Sequence, residues 1–394
     1  MGCSQMATTH KKGETLSPKQ GRPITGALST YPKELLQLLS KLRSSYPGWG
    51  ATNLRIELIE EHGYALKDLP SIDSINRYLK EQGFIQARIP TGKISKGKCP
   101  TPVKKAHDQW ELDAQGTIHI KGVGNVAMIN TKDAKSKLHC MAFPTQTKGP
   151  QSQPKTIHYY WALRLAFEER GLPKAIQVDK DSVFLDSSSK SPFPSMIHLF
   201  LTGLGVELCF IDVPPPQKQA MVERSHQTME KQVVQGQAYS DWQSLFRFTQ
   251  KRRKRMNEKI PNRMLNNQPP LVNDPAAAHS GRFYQVEKEA QLIDMKRIFK
   301  FLAKCQWFRK VSSVKILSLD NKIYYVKTAK PGTQLQITFC NRSKKLIFRD
   351  DKELIVDKQP LKEFSKEIIM GGSSKDLIAA KKILLKSKDF TLLT

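Results

Sequence analysis

The chain has 394 residues, 39% hydrophobic and 25% charged, and carries 64 Lys and Arg against 36 Asp and Glu for a formal charge of +28. That composition excludes a fibrous or wholly disordered chain, and the length suits two to four domains of roughly 100–200 residues each. The charge points to a polyanionic partner.

Residues 1–105 carry +9 and residues 236–394 carry +18, whereas residues 106–235 are nearly neutral at +1. A neutral centre between basic arms is the pattern of a catalytic or structural core held on nucleic acid by its flanks. The six cysteines lie far apart with no Cys-x-x-Cys pair, so neither a disulfide frame nor a zinc site is expected. The longest apolar runs, such as Met196 to Leu204, fall short of the roughly 18 residues of a membrane span, and no signal-peptide pattern opens the chain. A soluble intracellular protein without a membrane partner is expected.

Residues 1–20 are polar and lack apolar periodicity, which predicts a disordered tail. Residues 21–88 read as helical. Leu35, Leu36, Leu38, Leu39 and Leu42 recur at helical spacing until Tyr46-Pro47-Gly48-Trp49-Gly50 makes a turn. A second helix over Ala51 to His62 puts Leu54, Leu58 and Ile59 on one face, and Ser71 can cap a third with Ile72, Ile75, Tyr78 and Leu79. This predicts a helix-turn-helix DNA-binding domain whose reading helix exposes Ser74, Asn76, Arg77 and Lys80; a helical bundle with no DNA role is the alternative. Residues 89–105, rich in Gly, Pro and Lys, predict a basic linker able to track a phosphate backbone.

Residues 106–258 change texture. Trp110 to Asp113, Val123 to Ile129 and Leu138 to Phe143 read as an antiparallel meander. A helix over Thr156 to Arg170, a strand over Ala175 to Asp179, a helix over Ser195 to Leu204 and a strand over Val206 to Ile211 follow, and Pro214-Pro215-Pro216 precedes a long helix from Lys218 to Gln235. That order predicts a mixed α/β sheet with helices on its faces. After Tyr239 a helix with Trp242, Leu245, Phe246 and Phe248 leads into Lys251-Arg252-Arg253-Lys254-Arg255. Five successive cations are not expected in a core; they read as a phosphate-binding helix end, with a solvated charge run as the alternative. Residues 259–299 read as a connector, residues 300–360 as a small β-barrel of short strands punctuated by Asp320-Asn321, Pro331-Gly332 and Asn341-Arg342, and residues 361–394 as a C-terminal tail, either a short helix or a loose segment.

Three acids are placed unusually. Asp113 falls on the first strand, Asp179 at the end of the fourth, and Glu223 in the first turns of the helix after the prolines. With the first and fourth strands neighbours, that helix can bring the third carboxylate to the other two. Clustered carboxylates repel too strongly to persist without cations, so the cluster implies divalent metal. Two hard ions on oxygen ligands can activate a water or a 3′-hydroxyl and steady the leaving oxygen in phosphodiester chemistry. Asp181 rivals Asp179, and Glu111 or Asp108 rivals Asp113, although Trp110 and Leu112 mark the opposite face of the strand. His226, one turn after Glu223, either touches the reacting groups or simply hydrogen-bonds on its helix, while Arg224 and Lys231 are expected at phosphates.

At these residues the chain resembles the transposases of bacterial insertion sequences and the retroviral-type integrases, with their ribonuclease H-like catalytic core. Trp110-x-x-Asp113 is similar to the first-strand acid of that family, and Asp179-Lys180-Asp181-Ser182-Val183-Phe184 resembles its second motif, an Asp followed five positions later by Phe. Pro216 to Glu223-Arg224-Ser225-His226 resembles the third. The likeness extends to the Tyr46-Pro47-x-Trp49-Gly50 segment and the C-terminal barrel, most of residues 30–360.

The resemblance implies that Asp113, Asp179 and Glu223 bind Mg²⁺ or Mn²⁺, two ions in all. It further implies a homo-oligomer acting on double-stranded DNA, both transposon ends and target, at the nucleoid. No Gly-x-x-x-x-Gly-Lys-Ser/Thr run is present, so any ATP requirement falls to a helper protein. The chain departs from the pattern in three respects: Lys180-Asp181 stand where Asn-Gly is usual, the Asp179 to Glu223 interval is long, and position 230 is Glu with Lys231 next. A transposase-derived DNA-binding protein without catalysis and a nuclease of ribonuclease H fold that cuts without joining are the alternatives.

Overall fold

The computed structural model describes residues 26–85, 103–147, 149, 153–179, 181–185, 191–211 and 220–384, without the side chains of 220–223, 380, 383 and 384. The tail at 1–20 and most of the linker at 89–105 lie outside these residues. The chain divides into two compact units, one of residues up to Ser44 with Gly50–Pro90, the other of Ser45–Trp49 with Thr91 onward.

In the smaller unit, α1 (Lys33–Ser45), α2 (Ala51–Glu60) and α3 (Ile72–Glu81) bury Leu35, Leu39 and Leu42, Leu54 and Leu58, and Ile75, Tyr78 and Leu79. The Tyr78 ring goes inward while its hydroxyl stays bonded, 2.8 Å from Ser40 Oγ. Ser71 caps α3 by accepting from the Ser74 amide at 3.1 Å. The α2 to α3 connection spans residues 61–71 and includes a 3-10 turn at Leu66–Asp68, longer than the tight turn of a helix-turn-helix.

The larger unit is built on a five-stranded mixed sheet: β1 (Gln109–Ile120), β2 (Gly124–Asp133), β3 (His139–Gln146), β4 (Ala175–Val178) and β5 (Glu207–Phe210) in the order β3-β2-β1-β4-β5. The first three strands are antiparallel, and β1-β4-β5 are parallel. This is the mixed α/β core expected from the sequence. Side-chain alternation divides the two faces. Ile129 and Phe143 join one apolar cluster with α4 (Thr156–Arg170) and α5 (Met196–Gly203). Met128 and Ala142 join another with α6 (Ala220–Met229) and α7 (Trp242–Glu258).

Three expectations need correction. Lys251 and Lys254 of the basic block are exposed, but Arg252, Arg253 and Arg255 are buried at 1%, 5% and 5% exposure. Their guanidinium groups have found internal partners. Arg253 bonds Glu169 at 2.5 Å and the His139 and Cys140 carbonyls at 3.1 and 3.0 Å, and Arg252 lies 4.0 Å from the Trp49 ring centre and bonds Gln232. Second, the C-terminal strands make no closed barrel. β6 (Gln306–Lys310), β7 (Ile316–Leu319), β8 (Lys322–Tyr325), β9 (Gln334–Cys340), β10 (Lys345–Arg349) and β11 (Ile355–Pro360) form an open sheet, β11-β10-β9-β6, and a separate β7-β8 hairpin. Closure is unnecessary because Trp307, Tyr324, Leu335 and Phe348 share the core cluster of Trp110 and Phe200. Third, the C-terminal tail takes the helical of its two readings as far as Leu384, in two helices rather than one, Lys366–Ile369 and Ser374–Leu384.

Residues 45–49 belong to the larger unit's own packing. Tyr46 stacks on Trp49 at 3.8 Å, and Trp49 Nε1 donates to the Gln232 carbonyl at 3.3 Å. A Cβ on Gly48 would stand 2.0 Å from the Lys231 carbonyl oxygen, so only glycine permits the approach. Both contacts fall on Glu230–Val234, where α6 continues as a π-helical turn.

A buried ion pair ties the connector and C-terminal helices to α4. Arg164 Nε and Nη2 each donate to Glu289 at 2.8 Å, with side-chain exposures of 1% and 0%, and Nη2 also reaches the Met370 carbonyl at 2.5 Å. Removing one partner strands a buried charge, so Arg164→Met or Glu289→Leu alone is expected to cost about 3–5 kcal/mol in urea unfolding, and the double replacement to recover most of it.

Candidate active site

The site begins with strand register. β1 pairs with β4 through Gln109↔Ala175, Trp110↔Ile176 and Glu111↔Gln177. The same register carried two residues further sets Asp113 opposite Asp179, one residue beyond the end of β4. Trp110 and Ile176, both 0% exposed, hold that register from the core side. Partial burial, and then the Asp113 carboxylate beside it, push the Asp179 carboxyl above its ordinary range, and Asp181 adds to the effect.

Asp113 is oriented from both oxygens. Oδ1 accepts from the Ala114 amide at 2.9 Å, and Oδ2 lies 3.0 Å from His226 Nε2. The other imidazole nitrogen, Nδ1, is 2.7 Å from Asn130 Nδ2. As an amide N–H, Asn130 Nδ2 donates, so Nδ1 accepts and the ring proton sits on Nε2, directed at Asp113. Asn130 is also the cross-strand partner of Asp113, so β1, β2 and α6 are tied together at this point. Glu223 lies on α6 one turn before His226, and its side chain lies outside the described residues.

The rival acids are engaged otherwise. Asp181 Oδ1 accepts from Ser182 Oγ at 3.0 Å and the Val183 amide at 3.2 Å, closing its own turn. Asp108 pairs with Lys174 at 2.7 Å, and Glu111 is buried at 5% exposure. Phe184 of the second motif is 2% exposed and packs edge-on to Tyr159 at 5.2 Å, which anchors the turn carrying Asp179. Burial, followed by the charges of Asp181, Asp113 and Asp179, pushes the Tyr159 phenol well above its ordinary range. Lys180 lies outside the described residues.

The remaining expected contacts are dispersed. Arg224 and Lys231 are exposed on α6 and its π-helical continuation. In the smaller unit Asn76, Arg77 and Lys80 are exposed on α3, while the Ser74 hydroxyl is held at the helix cap, 2.9 Å from Ser71 Oγ. Sequence reasoning missed Asn130 and Tyr159. Asn130 carried a signal, a polar residue in an apolar run; Tyr159, on a helix buried all round, carried none.

Among the described residues no group of three metal-ligating side chains converges. The donor chemistry nonetheless fits a hard divalent ion, since Asp113 and Asp179 are oxygen ligands whose mutual repulsion a cation would relieve. None of the described helices is long and apolar enough to cross a membrane.

No family model matches the sequence. Among solved structures, the catalytic core domain of BIV integrase is 13% identical with a TM-score of 0.29, covering 42% of this chain and 92% of that one. The HTLV-2 integrase catalytic core domain in complex with magnesium is similar in its trimeric form at 12% identity and TM-score 0.31, over 42% and 95% of the two chains. Its dimeric form gives 11% and 0.30, over 43% and 97%.

Two outcomes follow from this geometry. A carboxyl whose pKa is raised on folding binds its proton more tightly in the folded state, so it costs stability as pH rises through the carboxylate range. Asp179→Asn is therefore expected to raise the melting temperature at pH 7 in chelator, with the gain disappearing near pH 3; an equal gain at both pH values would dissociate it from charge repulsion. In Mn²⁺ titrations His226→Ala and Asn130→Ala are each expected to weaken binding about 10- to 100-fold, the usual effect of losing a group that orients a metal ligand.

Proposed function

We propose that the protein is a DNA transposase that binds the ends of its element, hydrolyses them at their 3′ ends and transfers them into target DNA without a covalent protein intermediate. The observation that carries this reading is the juxtaposition of Asp113 and Asp179 at neighbouring strands, with the helix of Glu223 bonded to Asp113 through His226. The sequence motifs support it, with Asp113 on β1, Asp179 directly after β4 and Glu223 on α6.

Asp113, Asp179 and Glu223 would hold two Mg²⁺ or Mn²⁺ ions, which when bound supply an activated water or 3′-hydroxyl and relieve charge on the leaving oxygen. The chain's own residues prepare that site. The Ala114 amide and the His226 imidazole fix the Asp113 carboxylate, and Asn130 fixes the imidazole. The exposed Arg224, Lys231, Lys251 and Lys254 suit phosphate contact, and Arg77 and Lys80, with the polar Asn76, offer a second surface in the smaller unit. The partners are double-stranded DNA, further copies of this chain to handle two ends together, and any helper that supplies ATP.

The test uses duplexes taken from the DNA flanking the gene. Asp113→Ala, Asp179→Ala and Glu223→Gln are each expected to lower 3′-end cleavage and joining with Mn²⁺ below detection while leaving gel-shift affinity for the duplex near that of the wild type. Shifted but uncut DNA with the wild-type protein would point to a pure binder, and cleavage without joining to a nuclease.

A further inference from the structure

Lys132 lies two residues beyond Asn130 on the same face of β2, about 7 Å along the strand. The residue is 8% exposed. Glu111 is its cross-strand pair, but burial and the like charge of Lys137 outweigh that counter-charge and pull the ammonium down to about 8, with Arg224 adding to the repulsion. A buried ammonium so placed is stabilised by an incoming anion.

The space it faces is a cavity of about 390 Å³, within the roughly 300–1,000 Å³ of small-molecule sites. Arg224 and Arg263 share its wall with Lys132, and no acidic residue lines it. His139, also in the wall, is held neutral by burial and is 3.1 Å from Ser225 Oγ, so it contributes no charge. Met256, Ile260 and Met264 give it apolar lining as well. Three cations call for an anionic group, guanidinium forks favour phosphate, and methionine sulfurs against aliphatic carbon favour a flat aromatic body.

We propose that this cavity binds a nucleotide, with its phosphate on Lys132, Arg224 and Arg263 and its base against Met256, Ile260 and Met264. The same chemistry has two sources, a free nucleotide or the unpaired terminal nucleotide of a DNA strand. The second rests on the strand-transfer reading, since Arg224 directly follows Glu223 on α6.

The full chain, in chelator, is titrated with 2-aminopurine deoxyriboside 5′-monophosphate, with the corresponding nucleoside and with inorganic phosphate, and in a second arm with a duplex bearing an unpaired 3′-terminal 2-aminopurine nucleotide. The probe nucleotide, free or at the strand end, is expected to bind at least about tenfold more tightly than the nucleoside or phosphate. Lys132→Met and Met264→Glu, the latter at an exposed side chain where the fold is not at stake, are each expected to lower that affinity about tenfold or more. Response of the free nucleotide alone assigns the site to soluble nucleotide, and response of the duplex alone assigns it to a strand end. The proposal is overturned if neither probe binds, if phosphate binds as tightly as the nucleotide, or if both variants bind as the wild type does. The free-nucleotide arm requires neither metal nor element ends, so its result is independent of whether strand transfer occurs.

Discussion

Parallel pairing of β1 with β4 is the constraint on which the site depends. Asp113 and Asp179 are far apart in sequence, and no local preference brings them together; only the register set by Trp110 against Ile176 does so. The cost is visible in the raised carboxyl of Asp179, lifted first by partial burial and then by the Asp113 charge, and it is borne by a buried apolar ladder that cannot slip by one residue without turning Trp110 out of the core. A stable scaffold is thus made to carry an arrangement that is locally unfavourable, as expected where strain serves chemistry.

Charge in this protein is divided between inside and outside. Arg164, Arg170, Arg252, Arg253 and Arg255 are all buried, and Glu169 and Glu289 are prominent among their partners. Part of the +28 therefore serves cohesion between elements, and the charge offered to a polyanion is smaller than the formal sum. The exposed remainder, including Arg224, Lys231, Lys251 and Lys254, is what a phosphate backbone could meet.

The helices and strands of the centre were legible because each announces itself locally: apolar runs for β2 and β3, a helix ending at Gly171, a short apolar strand before Asp179. Asn130 and Lys132 were not, because their importance comes from the strands and helices opposite them. The basic block misled for a different reason. The buried stripe of α7 runs from Leu245 and Phe246 through Thr249 to Arg252, Arg253 and Met256 at regular helical spacing, so its position was recoverable, but five cations in succession masked the periodicity. The barrel failed because strand signals do not reveal whether a sheet closes on itself or leans on a neighbouring core.

Trp49 lies upstream of the basic linker in sequence yet is part of the larger unit, 1% exposed, with Arg252 across its ring and Gly48 pressed on the Lys231 backbone. The boundary in space is consequently not a boundary along the chain. A fragment cut at the linker would discard the aromatic lid of Arg252 and leave a guanidinium facing an empty slot beside the helix that carries Glu223. Dissection by sequence position would then produce a core that differs from the native one where its chemistry is proposed to reside, whereas a peptide supplying residues 45–49 in trans could restore the missing piece.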